Sequence, residues 1–208
     1  LMFREHAYGR DDFVNGLNDA KRLVYNHYKT DKESSIVHNN LKDMKDVLTY
    51  SLQYQKGAWV LHMLRNYVGE DNFRQGIRNY YKKYYNSTTT TNQFKTEMEV
   101  VSGMNLDTFF DQWLYKGGNM VLNGNWKFDE KKGRIEVNLN QVQNDGYLFE
   151  MPVELGISYN DKNLEKIQTV KLEKEKGRFY IASDSKPIAI KIDPNTKLLA
   201  IWDFNEIK

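Results

Sequence analysis

Four histidines, His6, His27, His38 and His62, are the residues best suited to hold a catalytic metal, and their successive gaps are 21, 11 and 24 residues. A zinc hydrolase site built on one helix needs two histidines a turn apart, with a glutamate beside the first to act as base. Neither HExxH nor HxxxH occurs in the chain. Covalent hydrolysis lacks its nucleophile, because there is no cysteine and no serine sits in a GxSxG elbow. Phosphate-cradling loops of the GxxxxGK[ST] or GxGxxG type are also missing. Two carboxylate pairs, Asp11 with Asp12 and Asp107 with Asp111, have residue types that suit acid/base work. Each pair falls at the start or flank of an expected helix, where a carboxylate complements the helix dipole or meets water. Trp59, Trp113, Trp126 and Trp202 lie inside periodic segments, so they read as core rather than as platforms for sugars. By its own chemistry the chain holds no complete catalytic site.

The elements that would position such groups fall into two halves. Phe13, Leu17, Ala20, Val24 and Tyr28 recur at steps of three and four, which predicts an amphipathic helix from about Arg10. Ala58, Leu61, Leu64 and Val68 predict a second between Gln53 and Val68, stopped by Gly69. A third carries Phe73, Ile77, Tyr80 and Tyr84. A hydroxyl from Thr88 to Thr91 caps the next, which bears Phe94, Met98 and Val101 and ends at Ser102-Gly103. Asn105 caps a short last one with Phe109, Phe110, Trp113 and Leu114 facing inward. After Gly117-Gly118 the period becomes two, in Ile135-Val137-Leu139 and in Phe149 through Tyr159, as in half-buried antiparallel strands. Polar, turn-prone stretches at Asp129 to Gly133, Asn160 to Asn163 and Glu173 to Gly177 separate the strands, and all three prolines fall in this half. The expected fold class is α+β: an all-α segment over residues 1–118, then an antiparallel β-sandwich over 119–208.

Composition narrows the partners. Thirty basic residues against 28 acidic ones leave a net charge of +2 with no basic run, which argues against a nucleic-acid partner. No stretch reaches the ~18 apolar residues of a membrane span. Leu1 to His6 lacks the apolar core of a signal peptide. The absence of cysteine leaves the compartment open.

One segment says more than its period. Tyr54-Gln55-Lys56-Gly57-Ala58 resembles the YxKGA motif of the M1 family of zinc aminopeptidases. Gly69-Glu70-Asp71-Asn72-Phe73-Arg74, Thr90-Thr91-Asn92-Gln93-Phe94, Phe109-Phe110-Asp111-Gln112-Trp113-Leu114-Tyr115 and Phe149 to Leu155 follow in the family's order. The resemblance covers nearly the whole chain and implies a zinc metallopeptidase that removes N-terminal residues from peptides. In that family HExxH, a later glutamate in a WxxEGF-like helix and a GxMxN substrate strand precede this region; Gly118-Asn119-Met120 is not that strand. The resemblance therefore implies a C-terminal piece: the helical half of a thermolysin-like catalytic domain and its following β-sandwich, with the upstream half of its own chain as partner. Zinc would belong to that parent protein, and this piece alone would bind none and be inactive. Tyr54 is the one family functional residue carried over, as the donor that stabilises the oxyanion, and Tyr50 would line the same cleft. A competing reading is a non-catalytic M1-like scaffold, or a module that binds protein or carbohydrate.

Overall fold

The computed structural model describes residues 2–38, 49–144, 147–160 and 165–207. The chain divides into two compact units, Leu1–Gly117 and Gly118–Lys208. The expected turn at Asn160 to Asn163 lies largely outside the described residues. Among the described residues, no helix is long and apolar enough to cross a membrane.

The first unit is helical: α1 (Met2–Tyr8), α2 (Arg10–Tyr28), a π-helical segment (Tyr50–Lys56) running directly into α3 (Gly57–Val68), α4 (Glu70–Lys83), α5 (Thr91–Ser102), α6 (Asp107–Phe110) and a second π-helical segment (Asp111–Tyr115). The apolar stripe from Phe13 to Tyr28 is buried along α2, as its spacing requires. Gly69, at φ 87, lets the chain turn between α3 and α4 in a conformation that a side chain would strain. At α5 the Thr90 side chain accepts from Gln93 N while Gln93 Oε1 accepts from Thr90 N, a reciprocal cap. Asn105 Oδ1 accepts from Asp107 N at 3.0 Å at the start of α6. Trp59 and Trp113 are fully buried. The stretch expected to be one α-helix from Gln53 begins instead as a π-helix. Seven residues of apolar spacing cannot separate an i→i+4 from an i→i+5 ladder.

An ion network ties four of these helices. Arg65 Nη1 donates to Glu5 at 2.8 Å and its Nε donates to Glu70; Arg10 also reaches Glu5, and Arg74 also reaches Glu70. Burial opposes the charged forms of Glu5 and Glu70, but the hydrogen bonds from Arg65 and its neighbours outweigh it and hold both carboxyls below their ordinary value. A carboxyl whose folded pKa is depressed stabilises the fold above its unfolded pKa of about 4.3, and that contribution disappears as pH falls through the folded value. The urea midpoint should therefore stay level from neutral pH down to about 5 and fall below about 4, and Arg65→Gln should shrink that acid drop. An acid profile unaltered by Arg65→Gln would show that the network carries none of it.

Among the described residues the second unit holds two sheets. One has the order β5-β2-β1-β7 and the other β4-β3-β6, with β1 (Met120–Asp129), β2 (Arg134–Gln141), β3 (Met151–Ser158), β4 (Glu165–Leu172), β5 (Lys176–Ala182), β6 (Ala189–Ile192) and β7 (Ala200–Glu206). Alternation places Ile135, Val137 and Leu139 of β2, and Met151, Val153, Leu155 and Ile157 of β3, in the buried core. The β1–β2 hairpin closes at the pair Asp129↔Arg134 through a short 3₁₀ turn and Gly133 at φ 54. Pro152 sits in β3 where β6, whose register covers Leu155 to Ser158, does not reach. One pairing departs from the all-antiparallel expectation: β7 lies parallel to β1, Met120 opposite Ala200. A parallel pair needs a long crossover, and the rest of this unit supplies it. Trp126 is core as expected, whereas Trp202 is only half-buried.

Candidate active site

The π-helical segment divides its side chains between two faces. Leu52 and Lys56 point inward and are buried, while Tyr50 and Tyr54 point outward, 60% and 59% exposed. The two rings lie 5.9 Å apart at 30°. Tyr54 stands on the wall of a groove of about 540 Å³ in the helical unit. Gln53 beside it and Gly57, Ala58, Val60, Leu61 and Leu64 of α3 continue that wall; Ile36, Val37, Tyr80, Thr89 to Thr91, Phe94, Phe110 and Leu114 complete the lining. Tyr50 stands beside Tyr54 but outside this lining. Among the described residues the Tyr54 hydroxyl has no hydrogen-bond partner. The Tyr54 hydroxyl thus joins those of Tyr80 and Thr89 to Thr91 in an otherwise mostly apolar lining.

The walls are joined by specific bonds. Gln53 Nε2 donates to Ile36 O at 3.2 Å, and Val37 N donates to Leu114 O at 2.9 Å. Tyr80 Oη donates to Thr89 Oγ1 at 2.5 Å on the opposite side. Gly57 has ordinary helical angles, φ −58 and ψ −43, and a Cβ there would lie 3.8 Å from Leu52 O, a normal contact. The backbone therefore does not require glycine at this motif position. Gly57→Ala should raise stability by about 0.5–1 kcal/mol in urea unfolding, through a less flexible unfolded chain. A loss of stability would mean that the glycine is needed by the fold.

The other residues singled out by type do not converge. His62 is buried, edge-on to Phe13 at 5.1 Å and Trp59 at 5.7 Å. His27 Nε2 lies 3.7 Å from Asp31 Oδ2, at the end of α2. Asp12 accepts two bonds from Arg4 at 2.6 and 2.8 Å, Asp107 pairs with Lys95, and Asp111 pairs with Lys116. Among the described residues no group of three or more His, Asp or Glu could hold a metal ion. The side chains of the described residues thus do not fit the zinc that the family resemblance implies.

Lys56 is the residue that the motif reading passed over. It is 0% exposed, and its Nζ donates to Tyr28 Oη at 2.8 Å and to Lys116 O at 3.4 Å. Its position four residues after Leu52 and three before Trp59 puts it on the buried stripe, which is the spacing signal that could have found it.

Comparison with known proteins agrees on one lineage. Residues 4–113 match the family described as "Peptidase family M1 domain". "Probable aminopeptidase 2" of Sulfurisphaera tokodaii is 32% identical over 146 residues, which is 68% of this chain and 17% of that protein. "Leucyl aminopeptidase" of Saccharolobus solfataricus is 25% identical over 158 residues, 74% of this chain and 18% of that protein. The chain thus spans less than a fifth of the length of these relatives. The crystal structure of Legionella pneumophila aminopeptidase A in complex with aspartic acid shares the fold, with a TM-score of 0.76 at 16% identity over 97% of this chain and 22% of that one. With more than half of its residues inside the matched domain, the chain belongs to peptidase family M1.

Proposed function

We propose that these 208 residues are the later part of an M1 zinc aminopeptidase, comprising the helical half of its catalytic domain and the β-sandwich that follows. The substrate is a peptide with a free N-terminus, and the metal ligands and general base come from sequence outside this chain. Tyr54 supplies the oxyanion donor. Attack on a peptide carbonyl gathers negative charge on the former carbonyl oxygen. A phenol is an O–H donor that stays protonated at neutral pH, so it can bond to that oxygen without giving up its proton. Support comes chiefly from one observation: Tyr54 of the YxKGA motif is solvent-exposed on a groove wall with no hydrogen-bond partner among the described residues. A tyrosine serving only the fold would bury its ring or bond its hydroxyl. The test is Tyr54→Phe in the full-length polypeptide, with peptidase rate as the readout; full retained activity would remove the assignment.

A further inference from the structure

A buried lysine in a π-helical segment asks for a reason. Burying an ammonium away from water is unfavourable, and an apolar side chain of similar length would fill the same space without that penalty. π-helical turns are rare and concentrate at functional sites. Both unusual features meet in the segment Tyr50–Lys56.

The partners of Lys56 show what it joins. Tyr28 Oη, at the end of α2, accepts from Lys56 Nζ and itself donates to Ser34 O at 3.0 Å. The Nζ also lies 4.9 Å from the centroid of the Tyr28 ring. Lys116, whose carbonyl oxygen is the other acceptor, immediately follows the second π-helical segment. One side-chain nitrogen therefore connects the segment bearing Tyr54, the chain leading to Ile36 and Val37, and the chain leaving Leu114. Those are three walls of the groove. Lys56 lies two positions after Tyr54, with Gln55 alone between them, and the phenol faces out where the amine faces in.

We propose that Lys56 is a positioning residue for the reaction at Tyr54: its buried nitrogen, bound to the Tyr28 hydroxyl and the Lys116 carbonyl, fixes the π-helical segment so that the phenol projects along the groove. The inference rests on the reading of Tyr54 as oxyanion donor for its catalytic consequence, while the clamp itself is a property of this chain.

The experiment has two arms. In the 208-residue chain, Lys56→Met keeps the length of the side chain and removes the charge. Amide exchange across residues 50–56 should then accelerate about tenfold or more, with α5 unchanged. Because the chain contains no cysteine, Lys56→Cys treated with 2-bromoethylamine while unfolded, then refolded, regenerates a lysine-length amine at that site alone. That product should recover the original exchange rates. Tyr28→Phe should reproduce the acceleration and replaces Lys56→Met if the latter fails to fold. In the full-length polypeptide, Lys56→Met should lower kcat about 10- to 100-fold at nearly constant KM, the signature of a misplaced donor rather than of lost binding. Exchange at 50–56 that is unmoved by both variants, a defect that aminoethylation fails to repair, or unchanged kcat would overturn the proposal. Failure of the Tyr54 reading is separable, since a fully active Tyr54→Phe enzyme would leave the exchange results intact.

Discussion

Tyr54→Phe in the full-length polypeptide should lower kcat about 10²- to 10³-fold, the cost of removing one preorganised donor from an oxyanion. That corresponds to about 2.7–4 kcal/mol of barrier. Because the bond forms only as negative charge develops, kcat and kcat/KM should fall together while KM moves little. The substitution deletes one oxygen and keeps the ring, and with it the 5.9 Å contact to Tyr50. At 59% exposure, and with no partner for the hydroxyl among the described residues, the site gives up little folding energy. Exposed changes of this kind usually stay within about 0.5 kcal/mol, so the urea midpoint should match the parent. A drop in rate with unchanged stability isolates the chemistry. Activity within a few fold of the parent would instead return Tyr54 to the ordinary residues of a helix entry.

Local rules explain why some features were readable and others were not. The buried stripe of α2 follows from apolar residues at steps of three and four, and the stops at Gly69 and Gly103 follow from the positive φ that each adopts. The Thr90–Gln93 cap likewise needs only residues three apart. The change to period two falls within the second unit, Gly118–Lys208. What escaped was non-local. Nothing near Ala200 to Glu206 tells β7 to lie parallel beside β1, because that choice is made by pairing across the whole unit. The π-helix Tyr50–Lys56 escaped for a related reason: its burial pattern fits either ladder, and the bond that accompanies it runs from Lys56 to Tyr28, 28 residues away. At the candidate site, the motif singles out Tyr54 and passes over Lys56. Its place on the buried stripe pointed inward, yet a lysine there is interpretable only once a hydroxyl and a carbonyl are seen at its tip.

Trp59→Ala, five residues beyond Tyr54, should have the opposite profile: a large loss of stability with the chemistry per folded molecule preserved. Trp59 is 0% exposed, its Nε1 donates to Leu17 O at 2.8 Å across to α2, and its ring packs edge-on against His62, which in turn meets Phe13. Truncating a buried Trp to Ala removes its transfer energy and leaves a cavity, together about 3–5 kcal/mol. A unit of this size holds roughly 5–15 kcal/mol in all, so the variant should have a strongly lowered urea midpoint at an unchanged slope. Trp59→Phe keeps most of the packing and loses the indole hydrogen bond, for about 1–3 kcal/mol. Because α3 carries the segment that holds Tyr54, the alanine variant of the full-length polypeptide should lose activity at 37 °C by unfolding. Assayed well below its midpoint, it should regain kcat per folded molecule, whereas Tyr54→Phe should remain slow at every temperature. If Trp59→Ala cost less than about 1 kcal/mol, or if its kcat stayed depressed while folded, then α3 would not be the rigid support that the placement of Tyr54 requires.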